Sequence, residues 1–332
     1  METVRVLVTG GAGYIGSHTC KALAAAGHTP IVYDNLRTGH AWAVKWGPLE
    51  HGDINDLASL SDVMRRHRPD AVINFAALAY VGESVARPDF YYQTNTAGMI
   101  TLMQAMRLHD VGAIVLSSSC ATYGIPARIP IAEDTPQGPI NPYGRSKRMA
   151  EEIMSDVCFA YGLGGIALRY FNAAGADSDG ELGEEHHPET HLIPLVLQAA
   201  AGLRPHISIF GGDYDTPDGT CIRDYIHVTD LASAHVAALS KCRSGEFSAY
   251  NLGTGRGSSI ADVIACARAI TGKAIVTQPE GRRLGDPPVL VADASLARKT
   301  FGWSPAHSDL ENVIKDAWAW MTIHRARVAP GD

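Results

Sequence analysis

A tyrosine and a lysine stand four residues apart in Asn141-Pro142-Tyr143-Gly144-Arg145-Ser146-Lys147. Asn141 is a favourable helix N-cap and Pro142 a favourable first helical residue, so Tyr143 and Lys147 are predicted to share one helix face. An ammonium beside a phenol lowers the phenol pKa from about 10 toward neutrality. A phenolate tuned in this way can take a proton from a hydroxyl while hydride leaves the carbon that bears it. Ser117, Ser118 and Ser119 close a short apolar run upstream, where a hydroxyl can bond the same reacting oxygen. Tyr-x-x-x-Lys alone is a common accident; with serines at a strand end it becomes a candidate catalytic group.

Hydride chemistry needs an acceptor, and the N-terminus supplies a place for one. Gly10-Gly11-Ala12-Gly13-Tyr14-Ile15-Gly16 directly follows a first apolar run and opens an amphipathic stretch. Gly10 permits the tight turn, Gly13 the close approach of a pyrophosphate, and Gly16 close packing of helix on sheet, while the helix N-terminus offers N–H groups to the anion. Asp34 ends the second apolar run, 18 residues beyond Gly16. A carboxylate there accepts from a ribose diol and repels a 2′-phosphate, so the expected cofactor is NAD rather than NADP. Arg37 would soften that preference, but Asp34 comes first. Asp53 is a candidate partner for the adenine amino group, or a turn residue before the helix that begins near Asp56.

The elements that position these groups follow from periodicity. Apolar runs at Val4–Thr9, Pro30–Tyr33, Ala71–Phe75, Ala113–Ser118 and Gly165–Arg169 alternate with amphipathic stretches at Gly16–Ala26, Leu57–His67, Asn95–His109 and Pro142–Tyr161. That alternation predicts an α/β fold with a Rossmann-like, doubly wound parallel sheet. Ligands of such sheets bind beyond the carboxyl ends of the strands. The periodicity breaks after Tyr170, and from Asn172 to Arg223 the chain is rich in Gly, Pro, His and Asp, with one apolar helix near Leu192–Ala201. Tyr225–Val228 reads as a return to the sheet, Asp230–Ser240 as its helix, and residues 250–325 as short strands and two more helices. The expected organisation is an NAD-binding unit at 1–172, with a return segment at about 224–245, and a smaller, discontinuous α/β substrate-binding cap at 173–223 and 246–332.

The 332 residues are 46% hydrophobic and 19% charged, an ordinary globular balance that argues against disorder. Net charge is −7 with no basic block, which excludes nucleic acid as an expected partner. No apolar run approaches the roughly 20 residues needed to cross a bilayer, so no membrane association is expected. Six scattered cysteines without a C-x-x-C pair read as reduced thiols in a cytoplasmic protein.

Seven segments carry a resemblance. The glycine loop, Ser117–Gly124 (S-S-S-C-A-T-Y-G) and Tyr143–Lys147 (Y-G-R-S-K) resemble the extended short-chain dehydrogenase/reductase family. Phe75–Ser84 (F-A-A-L-A-Y-V-G-E-S), Arg169–Ala176 (R-Y-F-N-A-A-G-A), Asp218–Val228 (D-G-T-C-I-R-D-Y-I-H-V) and Arg282–Pro288 (R-R-L-G-D-P-P) are similar to the UDP-sugar 4-epimerases within it. The resemblance runs from Val4 to about Trp320. It implies interconversion of UDP-glucose and UDP-galactose by transient C4 oxidation, rotation of a 4-keto sugar and re-reduction. Tyr143, Lys147 and Ser119 would be catalytic, with Lys147 also on the nicotinamide ribose.

Carried over position by position, the cofactor site would comprise Gly10, Gly13, Tyr14, Ile15 and Gly16, then Asp34, Asn35, Asp53 and Ile54. Phe75, Ala76, Ala77, Ser117 and Ser118 would join them, with Asn95, Tyr170 and Phe171 lining the nicotinamide side. The substrate site would add Asn172, His191, Leu192, Ser208, Ile209 and Phe210 to Ser119 and Tyr143. Arg223 and Arg283 would neutralise the diphosphate, a task suited to the guanidinium fork. Asp286 would accept from the uridine ribose, and Leu290 would stand beside the sugar's C2 substituent. A homodimer formed through regions 95–109 and 145–161 is also implied.

Two departures bear on function. Ala79 stands where this group often carries Lys, so one cation near the cofactor is missing. Leu290 is intermediate between the bulky Tyr and small Cys reported at its position, which suggests partial tolerance of N-acetylated sugars. Glu184-Glu185-His186-His187-Pro188-Glu189-Thr190-His191 invites a metal reading, but Pro188 interrupts any helix, so a solvated substrate loop and no metal is the expectation. A 4,6-dehydratase would need an acid and a base just after Ser119, where Cys120 and Ala121 stand. A 4-epimerase of an N-acetylhexosamine, pentose or uronate UDP-sugar stays open, and a non-catalytic NAD-sensing protein would have no need of the Ser, Tyr and Lys group.

Overall fold

The computed structural model describes residues 3–283 and 286–328. Leu284 and Gly285 of the Arg282–Pro288 motif, the first two residues and residues 329–332 of the expected cap lie outside them.

Apolar runs too short for helices pair into a seven-stranded sheet. Its strands are β1 (Arg5–Thr9), β2 (Thr29–Asp34), β3 (Leu49–His51), β4 (Ala71–Asn74), β5 (Ala113–Ser119) and β6 (Gly164–Tyr170). Four short strands, β7 (Asn172–Ala174), β8 (Ile207–Phe210), β9 (Ile222–Arg223) and β10 (Tyr225–His227), precede the seventh, β11 (Phe247–Leu252). The order is β11-β6-β5-β4-β1-β2-β3, with every pairing parallel. The order in which successive strands are laid down reverses between β1 and β4, which opens a crevice at their carboxyl ends.

Strand alternation divides the apolar residues between two faces. Leu7, Ile114 and Leu116 pack under α2 (Leu57–His67), α5 (Gly98–Leu108) and α6 (Pro142–Tyr161). Val6, Val8 and Val115 pack under α1 (Tyr14–Ala25) and α8 (Val228–Leu239). Between α2 and α5 lie the short helices α3 (Val81–Ala86) and α4 (Pro88–Tyr91). The 20-residue α6 is delimited by its own sequence. Asn141 Oδ1 accepts from Gly144 N–H at 2.8 Å, Pro142 sits in the first turn, and Gly162 closes the far end with φ 74°.

A third core gathers around α7 (Leu192–Ala200), α9 (Ile260–Thr271) and α11 (Leu310–Val328). With α10 (Ser295–Phe301) these make three helices beyond residue 250 where two were expected. The remaining strands, β12 (Ser258–Ser259), β13 (Thr277–Glu280) and β14 (Val289–Leu290), pair with β8 and β9 in small sheets.

Two placements differ from expectation. Tyr225–His227 is a strand but pairs with β7 in a separate two-stranded sheet, and Phe247–Leu252 supplies the edge of the large sheet instead. Only long-range register decides between two short apolar runs, so local pattern could not separate them. Asn95 also does not open a regular helix. It lies in a π-helical turn, Tyr92–Ala97, before α5 begins at Gly98.

One buried carboxylate ties the small sheets to the large one. Asp224, fully buried between β9 and β10, accepts from Thr254 N–H at 2.8 Å, Thr254 Oγ1 at 2.6 Å, Gly255 N–H at 3.0 Å and Ala292 N–H at 3.1 Å. Removing it leaves four donors without their acceptor at once, the fully buried Ala292 N–H among them. Asp224→Ala is therefore expected to lower the unfolding free energy by about 3 kcal/mol or more, read by urea denaturation; a loss under about 1 kcal/mol would contradict this role.

Candidate active site

The glycine loop runs from β1 into α1. Gly10 has φ 73°, and a Cβ there would lie 2.5 Å from Ala76 N. Gly16 is as constrained, since its Cβ would lie 2.3 Å from Gly10 O. Gly13 differs: an added Cβ meets only Gly10 O, at 3.3 Å, so what it would fill is the open cradle above the helix. Gly13 is the N-cap of α1 and brings no side-chain cap, which leaves the first-turn N–H groups of Tyr14 and Ile15 to another acceptor. That is the arrangement a pyrophosphate satisfies. The residues fit a dinucleotide.

Asp34 stands at the end of β2, nearly buried, and accepts from Ala12 N–H at 3.0 Å and Leu36 N–H at 2.8 Å. Burial pushes its carboxyl up, and these two hydrogen bonds pull it back. Asn35 donates through Nδ2 to Asp53 at 2.8 Å, which joins the ends of β2 and β3. Arg37, the residue that would favour a 2′-phosphate, stacks its guanidinium 4.0 Å from the Phe90 ring centre. Ile54 is buried behind Asp53 against Gly98, and Phe75, Ala76 and Ala77 are half-buried just beyond β4.

The serines at the end of β5 separate by strand parity. Ser118 faces away from its neighbours, and its hydroxyl donates to Glu151, which also receives Arg169 Nε at 3.0 Å. Its hydroxyl is therefore not at the cofactor crevice, contrary to expectation, because alternation along the strand turns it toward α6. Ser117 Oγ is hydrogen-bonded to the Tyr170 hydroxyl. Ser119 accepts from Ala121 N–H at 3.2 Å and is the hydroxyl that acts on Tyr143. Asn95 is also committed to scaffolding: it bridges Leu78, at 2.8 and 3.0 Å, to Ser146 Oγ of α6, at 2.9 Å.

Tyr143 and Lys147 do share one face of α6, but their titration differs from the simple pairing. Burial pushes the Tyr143 phenol up to about 12, with Ser119 pulling it back. Burial also lowers Lys147 to about 8, against the opposing pull of Glu151. The ammonium donates to Ser117 O at 2.8 Å, on the strand end rather than the phenol. In the chain alone, desolvation outweighs the expected lowering of the phenol.

The expected nucleotide-sugar residues form two linked pairs and a run beneath them. Arg223 is ion-paired with Asp286, and Leu290 lies opposite it in the β9–β14 register. The Arg283 guanidinium stacks 3.9 Å from the Phe210 ring centre, beside Ser208 and Ile209 on β8. Asp286 N–H donates to Arg283 O at 3.3 Å and connects the pairs. Leu290 in turn packs on a small core of Phe171, Cys120 and Tyr123, which brings this wall to the end of β5. Asn172 begins β7, donating its N–H to Asp224 O at 3.0 Å. His191 caps α7 before Leu192, with its ring nitrogen 2.5 Å from Glu184.

Three supports escaped the sequence reading: Asp224, and the buried ion pair of Glu151 with Arg169. Each leaves a trace, a charge inside an apolar stretch, although the trace does not name the partner.

A doubly wound sheet with an uncapped glycine loop at its reversal, and a Tyr, Lys and Ser group one strand away, defines a protein that does redox chemistry with a dinucleotide. The chain belongs to the NAD dependent epimerase/dehydratase family, whose profile matches residues 6–253. It is 49% identical over 321 residues to the UDP-glucose 4-epimerase of Rhizobium meliloti (strain 1021), covering 96% of this chain and 98% of the relative. The crystal structure of UDP-glucose 4-epimerase from Brucella ovis in complex with NAD superposes with a TM-score of 0.92 at 53% identity, over 95% of this chain and 98% of that one. A Stenotrophomonas maltophila UDP-glucose 4-epimerase with bound NAD and formylated UDP-arabinopyranose gives 0.93 at 40% identity, over 97% and 99%.

The lowered Lys147 carries a stability consequence. Below about pH 8 the ammonium is charged in both folded and unfolded chains, so its burial cost is fully present. Between about 8 and the ordinary 10.5 the folded chain gives up its proton first, and the cost fades. Without nucleotide, Lys147→Met is expected to gain up to about 3 kcal/mol over wild type at pH 7 and to lose that advantage as pH rises toward 10. Urea denaturation at both pH values checks this; a difference independent of pH would contradict it.

Proposed function

We propose that this chain is an NAD-dependent UDP-glucose 4-epimerase, an isomerase interconverting UDP-glucose and UDP-galactose. The observation that carries the reading is the convergence of Tyr143, Lys147 and Ser119 at the end of β5, with Cys120 and Ala121 next to them where dehydration would need an acid and a base. The α1 N-terminus and Asp34 would hold the pyrophosphate and adenosine ribose, with Asn35 and Asp53 beside the adenine. When bound, NAD supplies a cationic nicotinamide that accepts hydride from C4, returns it, and favours the phenolate of Tyr143.

The side chains do the rest. Tyr143 takes the C4 hydroxyl proton and gives it back, Ser119 bonds the same oxygen, and Lys147 binds the nicotinamide ribose. Arg223 and Arg283 hold the diphosphate while the 4-keto sugar swings about that linkage to present its other face, and Asp286 accepts from the uridine ribose. For Arg223 this exchanges part of its ion pair with Asp286 for phosphate oxygens. Residues 1–172 with 224–245 are assigned to NAD binding, and 173–223 with 246–332 to the UDP-sugar, although β11 lies physically in the large sheet.

A homodimer through α5 and α6 accompanies this assignment. Ile100, Leu108 and Tyr161 are exposed on these helices, and Phe159 is 85% exposed. Apolar groups so placed favour a protein partner. The cytoplasm is the proposed compartment, in keeping with six free cysteines. Among the described residues no helix is long and apolar enough to cross a membrane.

Purified protein incubated with UDP-galactose, without added NAD, is expected to form UDP-glucose. Tyr143→Phe should reduce kcat by about 10²–10⁴, the range a positioned proton-transfer group supplies; undiminished turnover would end the catalytic assignment. A second reading, tolerance of N-acetylated sugars, is favoured by Leu290, half-buried and intermediate in size. Leu290→Tyr is expected to depress turnover of UDP-N-acetylglucosamine more than that of UDP-glucose. Equal activity of both proteins on the acetylated sugar would remove that reading.

A further inference from the structure

The segment Glu184–His191, expected as a solvated loop, is packed against the body of the protein. The Glu184 and Glu189 side chains are only 5% and 7% exposed. Gly183 before them lies so close under Trp320 of α11 that a Cβ would stand 2.1 Å from the indole. Folding the segment here brings one ligand atom each from Glu184, His186, Glu189 and His191 within 4.8 Å of one another.

Two ordinary His–Glu ion pairs would explain such a group if each imidazole pointed at a carboxylate. Only one does. His191 Nδ1 meets Glu184 Oε1 at 2.5 Å. His186 Nδ1 is buried and makes no hydrogen bond, although Glu184 Oε1 lies 3.2 Å away and Glu189 Oε2 3.6 Å away. It is within ion-pair distance of both carboxylates and hydrogen-bonded to neither. His191 Nδ1 lies 3.6 Å from the other oxygen of Glu189.

Two imidazoles and two carboxylates gathered this closely offer the donor set of a four-coordinate ion. Imidazole nitrogen and carboxylate oxygen bound tetrahedrally to zinc stand about 3.3 Å apart along each edge. His186 Nδ1 stands near that value from one oxygen of each glutamate, at 3.2 and 3.6 Å, and the His191 ring, 2.5 Å from Glu184, must move back by less than about 1 Å to admit the ion. Two carboxylates balance the charge of a divalent ion, and two imidazoles select zinc-like metals over calcium or magnesium. The carboxylate of Glu189 is already oriented, since its Oε1 accepts from Thr190 N–H at 2.7 Å and His191 N–H at 2.8 Å. A neighbouring cavity of about 140 Å³, bordered by His186, Met321 and His324, gives a way in. The second acidic group among the described residues, Asp177, Asp179 and Glu181, has no such vacancy of charge, because the Lys21 ammonium sits in it at 2.8 to 2.9 Å.

We propose that Glu184, His186, Glu189 and His191 form a structural site for one divalent transition-metal ion, with zinc as the best fit. The site lies outside the proton-transfer group. His186 presents its ring edge-on to Tyr14, at 6.4 Å, and to Tyr80, at 6.0 Å. Tyr14 opens α1, and its hydroxyl donates to Gly175 O at 2.7 Å. A bound ion would therefore brace the glycine loop against the segment that leads into α7.

The test uses the full chain with its nucleotide, washed with chelator and then dialysed against limiting zinc. One zinc per chain is expected by elemental analysis, together with a rise in Tm. His186→Ala combined with Glu189→Gln should lose both while melting, without metal, like the metal-free wild type. Zinc below stoichiometry in the wild type, or zinc kept by the double variant, would overturn the proposal. Cobalt(II) added to the unmutated protein decides independently of whether the variant folds. Intense visible d–d absorption typical of four-coordination supports the site, and the weak absorption of a six-coordinate aquo ion sinks it.

Discussion

The buried ion pair between Glu151 of α6 and Arg169 of β6 is the constraint around which the reactive end of the sheet is organised. Arg169 reaches Glu151 through Nε at 3.0 Å and donates through Nη1 to the Tyr123 hydroxyl at 2.9 Å. Tyr123 passes the connection to Asn251 of β11 at 2.7 Å, and Asn251 to Ile131 O at 2.9 Å. One polar chain thus crosses from a helix on one face, through two strands, to the segment that bridges to Ala292. Burying such charges is expensive, and removing either partner leaves the other uncompensated. What the network fixes is relative position: Ser118 is held by Glu151, so Ser119 one residue on must face the opposite way, toward Tyr143.

The same helix then carries two groups that burial makes uncomfortable. Lys147 is charged below about pH 8 in a place that disfavours charge, and Tyr143 is neutral up to about 12. Neither is poised for proton transfer by the protein alone. The ammonium is not wasted on the phenol; it is anchored at Ser117 O, on the strand that carries Ser119. The chain supplies geometry and a low dielectric, and the state of the phenol depends on what enters the crevice. A site built this way stays quiet until the nucleotide is in place.

Where a constraint is local, it was legible in the sequence. Gly10, Gly13 and Gly16 each do a distinct job because a turn, an open cradle and a helix contact fall within seven residues. The bounds of α6 follow from Asn141, Pro142 and Gly162, all within reach of their own backbone. Where a constraint joins distant segments, residue type alone left it unread. Asp224 accepts from Thr254, Gly255 and Ala292, and nothing near Asp224 announces them. The strand at 247–252 and the one at 225–227 differ in partner, not in local character. The loop at 184–191 looked solvated because its residues are polar, whereas its carboxylates are buried by a turn of chain that only α11 explains.

The handling of the substrate's charge follows from the chain's own. With a net charge of −7 and no basic block in the sequence, attraction at long range does not favour an anionic ligand. The two guanidiniums of the nucleotide wall are instead kept in partial use, Arg223 against Asp286 and Arg283 over Phe210. An arginine tolerates this better than a lysine would, since its planar, weakly hydrated group stacks and forks without losing its proton. On the proposed assignment a diphosphate would draw these cations from existing partners, and a ligand without two adjacent phosphates would gain little by doing so. Selectivity for a nucleotide diphosphate would then come from exchange of contacts at short range rather than from the field of the protein.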